Sequence, residues 1–155
     1  MKKLFFLTTL IFLMSQVVCS AELSRDQIAV GGIYPGRTTE SEVERMHGKF
    51  DYRSGRHRHY YMNNNPYSDP AVTIVLMENR VINVGTILSS WETPDGVHCG
   101  MHENVLNDVY GTADEAINHG GEVIYRYYSG SYVLEFWVRS SFNGKIHLII
   151  AKMRD

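Results

Sequence analysis

The sequence predicts an α+β protein of two tandem units, each a helix followed by a three-stranded antiparallel meander, with the helices on one sheet face and the other face open. Two observations lead there. A glycine-framed string occurs twice, as Gly32-Ile33-Tyr34-Pro35-Gly36 and, 64 positions on, as Gly96-Val97-His98-Cys99-Gly100. Each copy is followed by a short helical pattern and then by apolar residues that alternate with polar ones at the period of a strand.

In the first unit, Thr38 or Thr39 can cap a helix whose inward positions are Val43 and Met46, and Gly48 can end it. Leu106, Val109 and Gly111 take those parts in the second unit. Both helices end in Gly-x-x-Asp, Gly48 to Asp51 and Gly111 to Asp114. Arg58-His59-Tyr60-Tyr61 then answers Tyr125-Arg126-Tyr127-Tyr128. Val72, Ile74 and Leu76 alternate with Thr73, Val75 and Met77, as do Leu134, Phe136 and Val138 with Glu135, Trp137 and Arg139. Ile146, Leu148 and Ile150 form a last apolar row. Asn79-Arg80 and Asn143-Gly144 are hairpin turn signals, and strands joined by such short turns are antiparallel, which excludes a doubly wound fold. A polar, proline-containing stretch, Ser89 to Pro94, divides the units at residues 22–90 and 91–155.

Residues 1–21 read as an export signal and not as fold: Lys2 and Lys3, an apolar run from Leu4 to Met14, and small residues ending at Ala21. Lipidation at Cys19 is the alternative processing, with bulky Val18 just before it. The expected product is periplasmic or extracellular, with no membrane span after cleavage. It keeps 13 basic and 17 acidic residues, a net charge of −4, and so has no electrostatic reason to seek nucleic acid. Cys99 becomes the sole thiol, so an internal disulfide is impossible and a dimer bridged through Cys99 is the remaining disulfide chemistry. No cofactor is expected.

The string Gly-(Ile/Val)-x-x-Gly, an apolar helix position and Gly-x-x-Asp, carried most fully by Gly96, Val97, Gly100, Met101, Leu106, Gly111 and Asp114, resembles the repeat of β-lactamase-inhibitory-protein-like (BLIP-like) domains. It is similar also to the outer-membrane assembly lipoproteins of the SmpA/OmlA type. The resemblance implies a secreted or envelope-located binding module, either an inhibitor that lays a concave sheet over another protein or a scaffold in an assembly machine. It carries over no catalytic residue.

If Leu134, Phe136 and Val138 face the helices, period two sends Glu135, Trp137 and Arg139 to the other face, and the same bookkeeping places His59, Tyr61, Arg126, Tyr128 and His147 there. Aromatic and arginine side chains on an open sheet suit a protein-binding face, since such residues dominate interface energies. The loop from Asn63 to Pro70 offers Tyr67 and Asp69 for insertion into a partner's cleft, or serves as a solvated connection. His98, Cys99 and His102 bring a thiolate and two imidazoles within five residues, enough to consider a metal or haem site, against which stands a small buried cysteine in a turn. Neither a nucleophile signature nor a phosphate-cradling loop is present. The expected function is therefore a non-enzymatic, exported protein-binding module, with inhibition of a secreted or envelope enzyme as one form of it; envelope assembly and metal or haem binding are the alternatives.

Overall fold

The alternating segments do not close into two meanders. They build one sheet. The computed structural model describes residues 22–154, and the segment read as an export signal, Cys19 included, lies outside them. Two short helices, α1 (Glu40–His47) and α2 (Asn104–Tyr110), accompany eight strands: β1 (Tyr52–Ser54), β2 (His57–Tyr61), β3 (Pro70–Met77), β4 (Arg80–Thr86), β5 (Glu115–His119), β6 (Glu122–Ser129), β7 (Tyr132–Arg139) and β8 (Lys145–Met153). All eight lie in a single antiparallel sheet of order β1-β2-β3-β4-β8-β7-β6-β5.

This corrects the expected α+β class of two helix-plus-three-strand units. The junction is the pairing of β4 with β8, in which Val84 faces Ala151 and Thr86 faces Ile149, a contact between distant segments that leaves no local pattern. β1 and β5 also add a fourth strand after each helix. The helices, eight and seven residues long, are too short to form a layer and act as plugs on a mainly β architecture.

Hydrophobic burial explains which face they cover. Arg58, Tyr60, Val72, Ile74, Leu76, Val81, Val84, Ile149, Ala151, Leu134, Phe136 and Tyr127 share one side by register. Val43 of α1 and Leu106 and Tyr110 of α2 join them in one continuous core. Both helices turn inward residues four apart instead of three, Leu106 and Tyr110 buried on α2, and buried Val43 with half-buried His47 on α1. Met46 and Val109, expected inward, are exposed, while His47 stacks on Trp91 and Tyr110 packs against Tyr127 and Phe136. Trp91, in the stretch read as a divide, is itself part of this core.

Thr39 caps α1 in a reciprocal box with Glu42: Thr39 Oγ1 accepts from the Glu42 amide, and Glu42 Oε2 accepts from the Thr39 amide at 2.8 Å. Gly48 and Gly111 follow the two helices with φ of +87° and +74°, a conformation L side chains rarely adopt.

The Gly-x-x-Asp spacing has a mechanical role in both places. The Tyr60 hydroxyl donates to the Gly48 carbonyl at 2.7 Å, and the Tyr127 hydroxyl to the Gly111 carbonyl at 3.3 Å. Asp51 accepts from the Tyr61 amide at 2.8 Å, and Asp114 from the Tyr128 amide at 2.7 Å. Each helix end is thus tied to an adjacent strand by one phenol and one carboxylate. Burial pushes the Tyr60 and Tyr127 phenols up to about 12, so both remain neutral donors at neutral pH.

Candidate functional site

The sheet face turned away from the helices is where the sequence directs attention, and register settles what stands on it. Tyr52, His59, Thr73, Gly85, Ile150, Glu135, Arg126 and Glu115 lie in one row across all eight strands. Ile117, Ile124, Trp137 and Leu148 form the neighbouring row. All eight residues assigned to this face from the sequence, His59, Tyr61, Arg126, Tyr128, Glu135, Trp137, Arg139 and His147, are placed on it.

They are not one patch. Glu135 is only 1% exposed and organises the β6–β8 half. Its Oε1 receives Arg126 Nε at 2.8 Å and Lys152 Nζ at 3.1 Å, and the Trp137 indole donates to Oε2 at 3.4 Å. Arg126 reaches on to Glu115 at 3.2 Å, and Arg154 stacks over the Tyr128 ring at 4.3 Å. A second ion cluster sits at the neighbouring end of the same face. Arg139 Nε donates to Glu122 at 2.8 Å, and that bond holds the Glu122 carboxyl below the usual carboxylate range. His147 Nε2 lies 3.1 Å from the same oxygen but out of line, so this buried nitrogen has no hydrogen-bond partner. Burial keeps the His147 imidazole below its ordinary pKa despite the Glu122 charge.

The β1–β2 half carries a ladder of flat rings. His59 stacks with Tyr52 at 5.5 Å and with His57 at 6.2 Å, and meets Tyr61 at 6.0 Å. Burial, reinforced by neighbouring His57, lowers the His59 pKa and favours its uncharged ring.

Between the two halves lies a hollow of about 240 Å³ lined by Ala71, Thr73, Gly85, Ile87, Leu148 and Ile150. Gly85 is its floor, the one position in the long row with no side chain. Sequence reading missed this feature, because it kept Ile146, Leu148 and Ile150 on one side. A register shift opposite Trp137 and Val138 sends Ile146 into the core and Leu148 and Ile150 to the outer face.

The remaining candidates separate. Tyr67 is 97% exposed at the tip of the β2–β3 loop, and Asp69 is exposed beside it. Cys99 is buried, with Sγ directed at the Thr86 carbonyl at 3.4 Å, and burial pushes its thiol up to about 12. His98 bonds its own neighbour's carbonyl, at Cys99, at 2.9 Å, whereas the exposed His102 accepts from the Asn104 amide at 3.2 Å. The three do not converge, and no group of three metal-ligating side chains occurs among the described residues. An intermolecular bridge through Cys99 requires the core around it to open.

On the helix side, a hollow of about 470 Å³ separates α2 from β5 and β6. Its strongest polar groups are committed to each other, the Tyr125 hydroxyl donating to Glu103 at 2.6 Å.

No protein-family model matches the chain, and no curated protein matches it in sequence. Solved structures do share its fold. A DUF4309 family protein (YjgB) from Bacillus subtilis superposes with a TM-score of 0.54 at 15% identity, covering 79% of this chain and 83% of its own. An extracellular protein containing a SCP domain from Bacillus anthracis superposes with a TM-score of 0.50 at 8% identity over 94% of this chain, which spans 50% of that protein's length. At such identities the likeness is one of fold. No helix among the described residues is long and apolar enough to cross a membrane.

Proposed function

We propose that the chain is an exported, non-enzymatic protein-binding module of the inhibitor-like kind that its Gly-x-x-Asp string resembles, and that it holds a secreted or envelope protein against the sheet face opposite the helices. One observation carries this reading: that face sets Tyr128, Trp137, Arg126, Arg139 and the His59 ring ladder around an apolar hollow floored by Gly85. Aromatic and arginine side chains beside a mostly apolar hollow are the composition of interface centres. The ion pairs of Glu135 and Glu122 hold the arginines in place before a partner arrives, which lowers the entropy lost on binding.

Affinity capture from the producing cell's envelope and culture fluid tests it. Wild type is compared with a Trp137→Ala/Tyr128→Ala double variant whose fold is verified by circular dichroism. A protein retained by wild type and reduced about tenfold or more with the variant is the expected result, equivalent to losing about 1.4 kcal/mol or more of binding energy. Equal capture by both removes this face from the account.

A further inference from the structure

The sheet has two outer edges, and they are not alike. β1 is three residues long, and its central Arg53 is drawn to Glu40 and Glu44 of α1. β5 is five residues of unbroken register, Glu115-Ala116-Ile117-Asn118-His119, paired on one side with β6 and ending the strand order on the other. It has no proline, no lysine and no bulge, three of the devices that protect natural sheet edges.

We propose that β5 is the docking edge for a second copy of this chain, whose own β5 pairs with it antiparallel about a two-fold axis through Ile117. Three features select that occupant and that register. The first is backbone phase. The two-residue Gly120–Gly121 turn closes on the His119–Glu122 pair, so alternation turns the amides and carbonyls of Ala116 and Asn118 away from β6. Centring on Ile117 sets Ala116 opposite Asn118 of the second copy, joining free groups to free groups. Of the registers with this phase, it alone pairs all five residues.

The second feature is charge. This register sets each Glu115 opposite a His119, carboxylate facing imidazole, with no like-charged pair, the arrangement that favours cross-strand contact. The third is continuity of the apolar surface. Ile117, Ile124, Trp137 and Leu148 form a row on the outer face, and the two-fold axis joins it to its twin through the Ile117 contact. The result is an uninterrupted sixteen-stranded sheet whose two binding faces look the same way. The inference stands whether or not that face holds a partner.

Cysteine cross-linking and mass measurement on the purified chain test it. Ile117 and its twin form a non-hydrogen-bonded pair, with Cα atoms about 4.5 Å apart, inside the range a disulfide accepts. Under mild oxidation Ile117→Cys is expected to dimerise about tenfold or more faster than Tyr67→Cys, a cysteine on the exposed loop tip, because pairing raises the local thiol concentration. Glu115→Cys and His119→Cys are expected to cross-link when mixed and not when alone. By light scattering, wild type is expected at twice the chain mass, and Ile117→Lys at the single mass with an unchanged circular dichroism spectrum. Cross-linking of Ile117→Cys no faster than that of Tyr67→Cys overturns the proposal. So does a wild-type dimer unaffected by Ile117→Lys, which pairs through another surface, or Glu115→Cys cross-linking with itself, which contradicts the register.

Discussion

Replacing Glu135 by alanine is expected to lower the unfolding free energy by about 2–3 kcal/mol. The carboxylate is 1% exposed and is the shared acceptor for Arg126, Lys152 and the Trp137 indole. Removing it leaves two cations facing each other across β6, β7 and β8, with Arg126 keeping only its outer pair to Glu115. Because Arg126 and Lys152 keep 29% and 31% of their side chains in water, the loss falls at the low end of what breaking a buried pair costs. Glu135→Gln, which preserves shape and some hydrogen bonding, is expected to lose about half as much. Urea unfolding of the three proteins decides it: an alanine variant within about 0.5 kcal/mol of wild type would mean that the network contributes nothing to the fold.

Phe136→Ala is expected to cost about 3–5 kcal/mol, a large share of the total stability of a domain this size. The ring is 0% exposed and touches Tyr110 of α2 at 5.5 Å and Tyr127 at 6.0 Å. It is therefore one of the contacts through which the sheet holds the second helix, beside that of Tyr127. Tyr110 in turn shares a 2.7 Å hydrogen bond with Thr93, so the cavity loosens the β4–α2 connection as well. Phe136→Leu keeps most of the volume and is expected to lose about 1.5 kcal/mol or less. Denaturant midpoints with unchanged slopes check both values.

Much of the face was legible in the sequence because one rule, alternation along a strand, places a side chain without any knowledge of neighbours. Leu134, Phe136 and Val138 point inward by that rule, and Glu135, Trp137 and Arg139 outward. It failed at β8, where the register shift opposite Trp137 and Val138 reversed the phase for Leu148 and Ile150 and hid the central hollow. The edge strands left no hydrophobic signal, since β1 is wholly exposed and β5 nearly so. An edge strand buries neither face well, and polar residues suffice to build it.

The α+β expectation failed for a related reason. Local pattern specifies that Val84 and Ala151 lie on strands, but not that those strands pair with each other. The Gly-x-x-Asp strings were visible as text, while their role, a glycine carbonyl for a tyrosine hydroxyl and an aspartate for a strand amide, needed three dimensions. Cys99 is the small buried cysteine that was one of the two readings of its turn, set against a metal or haem site.

The central claim is that the outer sheet face, and not the helix side, contacts a partner. Site-specific photo-cross-linking in the producing cell tests that most directly. A photoreactive residue is placed at Ile87, 41% exposed beside the Gly85 hollow, and separately at Met46, 45% exposed on α1. Their similar exposure makes a difference in capture a matter of location. The account predicts one discrete cross-linked protein from Ile87 and none from Met46, whereas capture of the same protein from Met46 and none from Ile87 contradicts it.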